Sequence, residues 1–91
     1  MRTMTTERAA TEIKRAYGTH TSQYGPGALM SMAQLAERVD LTADEIADGA
    51  RHLARNDRAR LTPESNQKML TPLDRELAVW HGGQWKHLIS W

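Results

Sequence analysis

A chain of 91 residues is long enough for one domain and too short for two. Its 40% apolar and 25% charged content is that of a folded chain rather than a disordered one, and the absence of cysteine excludes disulfides and thiolate metal sites. A net charge of +1 is too small to name a nucleic-acid partner by itself.

The opening, Met1 to Glu7, has no apolar run of the kind a secretory signal needs, and no stretch reaches the ~20 apolar residues of a membrane helix. The expectation is a cytoplasmic protein with no membrane partner. Phe is absent, so large apolar volume must come from Leu, Ile, Met and three Trp.

In chain order, Thr5 or Thr6 caps a helix over 5–17, with Ala9, Ile13, Ala16 and Tyr17 on one stripe. Gly18 is expected to close it, and 18–27, rich in Gly, Ser and Thr and ending Gly25-Pro26-Gly27, reads as a loop. Ala28-Leu29-Met30 makes a strand stub.

Ser31 then starts a short helix with Gln34 as capping-box partner, and Leu35, Ala36 and Val39 supply its buried side. After a tight turn at Asp40-Leu41, Thr42 caps the next helix, again with a box partner, Glu45. Ile46, Ala50 and Leu53 face inward, which turns Asp44, Asp48, Arg51, His52 and Arg55 outward until the helix ends at Asn56-Asp57. Gly49 inside a helix costs ~1 kcal/mol against Ala, so a close helix crossing is the expected reason for it.

Residues 59–62 alternate like a strand and 63–68 read as a loop. Thr71-Pro72-Leu73-Asp74 is a helix start, with Leu73, Leu77 and Trp80 as its apolar stripe. Gly82-Gly83 ends that helix, and Trp85 to Trp91 reads as a final strand. The alternative pairs Val79–His81 with Gln84–Lys86 as a hairpin across Gly82-Gly83.

The stretch Met32 to Ile46 resembles the helix-turn-helix of bacterial DNA-binding proteins. Leu35, Val39, Leu41 and Ile46 form the knot between its two helices, and Ala36 is small at the crossing. The later run Arg60 to Lys68, with Leu70-Thr71, Asp74-Arg75, Gly82-Gly83 and His87-Leu88-Ile89, resembles the end of small winged-helix proteins of actinobacterial type. Both resemblances imply one fold: mainly α with a small antiparallel β-ribbon, a winged helix-turn-helix over 1–91, helix-turn-helix at 31–56, wing at 59–91 with a short helix inserted between the wing strands.

The function expected from that fold is sequence-specific binding of double-stranded DNA by a small transcriptional regulator. The helix at 42–56 would enter the major groove, and the loop 63–69 would lie on the backbone or in the minor groove. Candidate DNA-binding residues are Thr42, Arg51, His52, Arg55, Arg58, Arg60, Asn66, Gln67 and Lys68. Lys14 and Arg15 could add a phosphate contact, although a solvated face explains them as well. So small a domain contacts few base pairs, which favours a homodimer on a two-fold site.

The rival reading is a protein-interaction module, an adaptor or inhibitor. Residues 31–57 carry three basic and six acidic groups, whereas 1–30 carry four and two, and 58–91 carry five and three. No nucleophile elbow, glycine-rich phosphate loop or cysteine nucleophile is present, so no enzyme activity and no cofactor are expected. His81 and His87 without further ligands do not make a metal site. Trp80, Trp85 and Trp91 are expected in the core, and Trp85, His87, Ile89 and Trp91 on one face of the last strand.

Overall fold

Two helices with small residues at their crossing organise the chain. The computed structural model describes residues 5–91, so Met1 to Met4, part of the opening read above, lie outside it. Helix α1 spans Thr6–Tyr24, capped by the Thr5 hydroxyl, which accepts from Arg8 N–H. It buries Ala9, Ala10, Ile13, Ala16, Tyr17 and His20. Helix α3, Ala43–Asn56, buries Ile46, Gly49, Ala50 and Leu53.

The predicted end of α1 at Tyr17 and the predicted loop 18–27 are corrected by the structure: the helix runs two turns further and the chain turns at Gly25. Gly18 lowers helix propensity, but tertiary contacts outweigh it. The Tyr17 hydroxyl donates to the Ala28 carbonyl at 2.8 Å, and His20 Nε2 lies 2.9 Å from the Leu29 carbonyl. The His20 anchor falls beyond position 17, one turn further along α1. Gly25, at φ 95°, ends the helix with its N–H on the Thr21 carbonyl.

Strand β1 (Met30–Ser31) runs directly into α2 (Met32–Ala36). Ser31 and Gln34 form the expected capping box, and Thr42 and Glu45 form the second one at the start of α3. Between these helices Val39 and Leu41 pack against the core. Strand β2 (Arg60–Thr62) follows α3.

The chain then makes a long excursion before returning. It holds a 3-10 turn (Gln67–Met69), helix α4 (Pro72–Glu76) and a hairpin of β3 (Val79–His81) and β4 (Gln84–Lys86). Strand β5 (Leu88–Ser90) comes back between β1 and β2, giving an antiparallel sheet in the order β1-β5-β2. Met30 and Leu61 both stand opposite Ile89, and all three are buried.

The end of the chain thus combines the two readings of the sequence. The Thr71 cap and Pro72 do start a helix, but it stops at Glu76, and the hairpin across Gly82-Gly83 forms as well. Both glycines have positive φ, 62° and 81°, as a two-residue hairpin turn of the right twist demands.

Two expectations are corrected as a result. Of the stripe Leu73, Leu77 and Trp80 only Leu77 is buried, because Trp80 lies in β3 and not on a helix. The strand expected over 85–91 is broken at His87. There the backbone N–H bonds to the Thr62 carbonyl and the carbonyl accepts from Met32 N–H, moving the chain from the ribbon to the sheet. Trp85 is therefore half-exposed while His87 and Ile89 are buried.

Among the described residues the fold is a small compact α/β domain with four α-helices, a three-stranded antiparallel sheet and a two-stranded ribbon. No helix there is long and apolar enough to cross a membrane.

The sequence attributed Gly49 to a close crossing, and the coordinates agree. A Cβ at this position would lie 2.7 Å from Ile13 Cδ1 and 3.1 Å from backbone atoms of Ala9 and Ala10. Ile13 is fully buried and the α1 backbone cannot yield. Overpacking costs ~1–3 kcal/mol and better helix propensity returns at most ~1 kcal/mol, so Gly49→Ala should lower stability by about 1–2 kcal/mol in urea unfolding. Equal or greater stability would mean that the helices do not meet here.

Candidate nucleic-acid interface

The candidate residues on α3 divide by what already occupies them. Thr42 is consumed at the helix start: its hydroxyl accepts from Glu45 N–H at 3.1 Å, and its own N–H donates to the Glu45 carboxylate at 2.8 Å. Arg51 is also tied. One guanidinium nitrogen pairs with Asp48 at 2.9 Å and another donates to the Trp80 carbonyl at 3.2 Å, leaving its side chain 28% exposed.

The β3–β4 hairpin therefore rests against the face of α3 that a major groove would have to receive. His52 lines a groove between α1 and α3 with Lys14 and Asp57, and does not stand out beside Arg55. Lys14 pairs with Asp57 at 2.7 Å and Arg15 with Glu12 at 2.8 Å, so each has a partner within the fold.

Arg55, Arg58 and Arg60 are placed differently. Arg55 is exposed near the end of α3, with its Nε 3.4 Å from the Arg51 carbonyl one turn back. Arg58 is exposed in the connection to β2. Arg60 is exposed on β2, an edge strand, opposite Ser90. None of the three has an ion pair among the described residues. Five residues of chain hold their Cα atoms within about 18 Å of one another.

Arg58 has φ 62°, the left-handed region where a side chain costs ~1–2 kcal/mol and Gly costs none. Arg58 is the one non-glycine residue with positive φ among those described.

Hydrogen bonds within the loop 63–69 and one from Arg75 fix its shape. Asn66 Oδ1 accepts from Lys68 N–H at 3.2 Å, the Gln67 side-chain amide donates to the Glu64 carbonyl, and Arg75 donates to the Gln67 carbonyl at 3.4 Å. Asn66 and Gln67 thus shape the turn, while Lys68 is exposed without an ion pair among the described residues.

The three tryptophans also separate. Trp91 is partly buried, 4.7 Å from the Tyr17 ring, and its indole N–H donates to the Asp57 carbonyl at 2.9 Å. Trp80 and Trp85, expected in the core, are instead 50% and 54% exposed. They face each other across the hairpin, edge to face at 5.1 Å, an arrangement worth ~0.5–1.5 kcal/mol beyond burial.

Sequence reasoning missed a cavity of about 260 Å³ in the excursion, lined by Gln67, Leu70, Arg75, Ala78, Trp85 and His87. The signal that could have found it was the hairpin reading, which turns Trp85 back toward α4.

Lys14 holds the Asp57 carboxyl below the usual carboxylate value, by hydrogen bonding first and by its charge in addition. Because the folded value is depressed, the contribution to stability is present above the unfolded carboxylate pKa, near ~3.9, and is lost as pH falls through the lower folded value. An NMR titration of Asp57 should show a midpoint below that of a free carboxylate, moving up in Lys14→Met. An unchanged midpoint in that variant would rule out the pair. Comparison with known protein families, with curated proteins and with solved structures gave no match for this chain.

Proposed function

We propose that this chain binds double-stranded DNA as a small winged-helix regulator and grips the phosphate backbone where α3 passes into β2. The observation that carries the reading is the trio Arg55, Arg58 and Arg60: exposed, without ion pairs among the described residues, and in one case held in a backbone conformation unfavourable to arginine. Strain kept at an exposed charged residue points to a use for the charge. The order helix, strand, two short-linked helices and antiparallel strands, with the last strand central, supports the winged-helix part.

In this reading the trio neutralises phosphates, and Lys68 adds a contact from the excursion. The first half of α3 contributes little attraction, since Asp44 and Asp48 are exposed there. Sequence preference would come from Arg55 at a base edge, or from Asp44 accepting from a cytosine amino group. A homodimer on two half-sites would supply the contacts one copy lacks.

A protein partner is the second reading. The half-exposed Trp80 and Trp85, beside an α3 whose Arg51 is already engaged, favour it.

The test is fluorescence polarisation with mixed-sequence duplexes over a range of salt. Binding should weaken as salt rises. Arg58→Gly should weaken it for all sequences and reduce the salt slope by about 1. The same substitution relieves the left-handed strain while adding the unfolded-state entropy of glycine, so the fold should be as stable or up to ~1 kcal/mol more stable. A loss of binding without a loss of stability separates recognition from folding. Absence of duplex binding at low salt, or full binding by Arg58→Gly, overturns the proposal.

A further inference from the structure

The excursion between β2 and β5 leads to a histidine that the fold uses on one side of its ring only. His87 is 7% exposed and lines the cavity with Gln67, Leu70, Arg75, Ala78 and Trp85. Its Nδ1 lies 3.0 Å from the Glu64 backbone nitrogen. A backbone N–H can only donate, so Nδ1 carries the lone pair and the ring proton sits on Nε2. That Nε2–H makes no hydrogen bond to the protein among the described residues and is not sealed from solvent, so it is open to a partner entering the cavity that His87 lines.

The rest of the lining shows which partner it would take. Arg75 contributes a guanidinium whose one protein contact is the long bond to the Gln67 carbonyl; it has no ion pair among the described residues. No carboxylate lines the cavity. The Gln67 side-chain NH2 already donates to the Glu64 carbonyl. The polar side therefore offers two donors and a positive charge, which suit a carboxylate.

The remaining walls are Leu70, Ala78 and the indole of Trp85, which suit a flat apolar body. At about 260 Å³ the space falls below the range of drug-sized pockets, roughly 300–1,000 Å³, and so selects a small molecule. The groove between α1 and α3, at about 290 Å³, differs because its Lys14 and Asp57 already neutralise each other.

We infer that the cavity bounded by Trp85, His87 and Arg75 is a binding site for a small organic acid, with its carboxylate on His87 Nε2–H and Arg75 and its apolar ring against Trp85. This site is separate from the arginine trio and does not depend on the DNA reading.

The experiment is titration of the purified chain with benzoate, benzamide, acetate and inorganic phosphate, followed by the His87 and Arg75 side-chain nitrogen resonances and the Trp85 indole signal. Benzoate should saturate and shift all three. Acetate and phosphate should bind at least ~10-fold more weakly, for want of the apolar contact. Arg75→Gln, at an exposed position, should weaken benzoate on the order of 10-fold or more and leave benzamide unchanged.

Trp85→Leu should weaken benzoate and benzamide alike. Phosphate binding as well as benzoate overturns the organic-acid assignment, as does benzoate binding that ignores Arg75→Gln. The absence of saturable benzoate binding removes the site. Since the readouts lie on α4, on the hairpin and at His87 just after it, and include none of the arginine trio, none of these results bears on duplex binding, and failure of duplex binding leaves them intact.

Discussion

The close approach of α1 and α3 at Gly49 fixes everything else. With no Cβ there, Ile13 and the backbone at Ala9 and Ala10 come into direct contact with α3. Ile46, Ala50 and Leu53 are then committed to the core, and the opposite side of α3 is determined by helical spacing alone. The end of α3 is fixed too. A belt of contacts joins it to the middle of α1 and to Trp91: Asp57 to Lys14, the Asp57 carbonyl to the Trp91 indole, and the Trp91 N–H to the Tyr17 hydroxyl at 3.4 Å. The arginine trio is displayed by this belt and does not help to build it.

The excursion from 63 to 87 is held at a few points. Leu77 and Val79 reach the core, Arg51 takes the Trp80 carbonyl, and the backbone of His87 bridges to Thr62 and Met32. Between these anchors the segment leaves Met69, Leu73, Trp80 and Trp85 exposed. It uses the Trp–Trp contact and one capping box in place of burial. The hairpin also narrows the approach to α3. A major groove about 12 Å wide admits one helix, and a ribbon carrying two indoles alongside α3 competes for that space.

Much of the fold was legible because local signals agreed with tertiary need. Ser31–Gln34 and Thr42–Glu45 marked their helix starts, and the pattern of Ile46, Ala50 and Leu53 gave the buried face. The failures have physical causes. Gly18 carried a stop signal that the Tyr17 and His20 anchors overrode, and nothing local announces a bond to Ala28 or Leu29. At the end of the chain two local signals were treated as exclusive, although a five-residue helix and a hairpin fit in the same stretch.

The candidate site was less legible. Residue type suggested Thr42, Arg51, Asn66 and Gln67, but capping, pairing and turn formation occupy all four. The cavity at His87 was hidden because its walls come from segments up to twenty residues of chain apart, Gln67 and His87 at the extremes.

Segment charges differ from what the surface presents. The acidic balance of 31–57 pointed away from DNA, yet it counts charges that the fold has already assigned. Glu45 sits on the Thr42 N–H at the positive end of α3, Asp48 faces Arg51, and Asp57 faces Lys14 from another segment. Of the six acids only Glu37, Asp40 and Asp44 stand exposed without a pair or a capping bond among the described residues. The cations from Arg55 onward carry no such assignments to acids, and what reaches solvent is this remainder. A partner that reads charge meets the remainder, not the sum, and at the α3–β2 junction the remainder is positive.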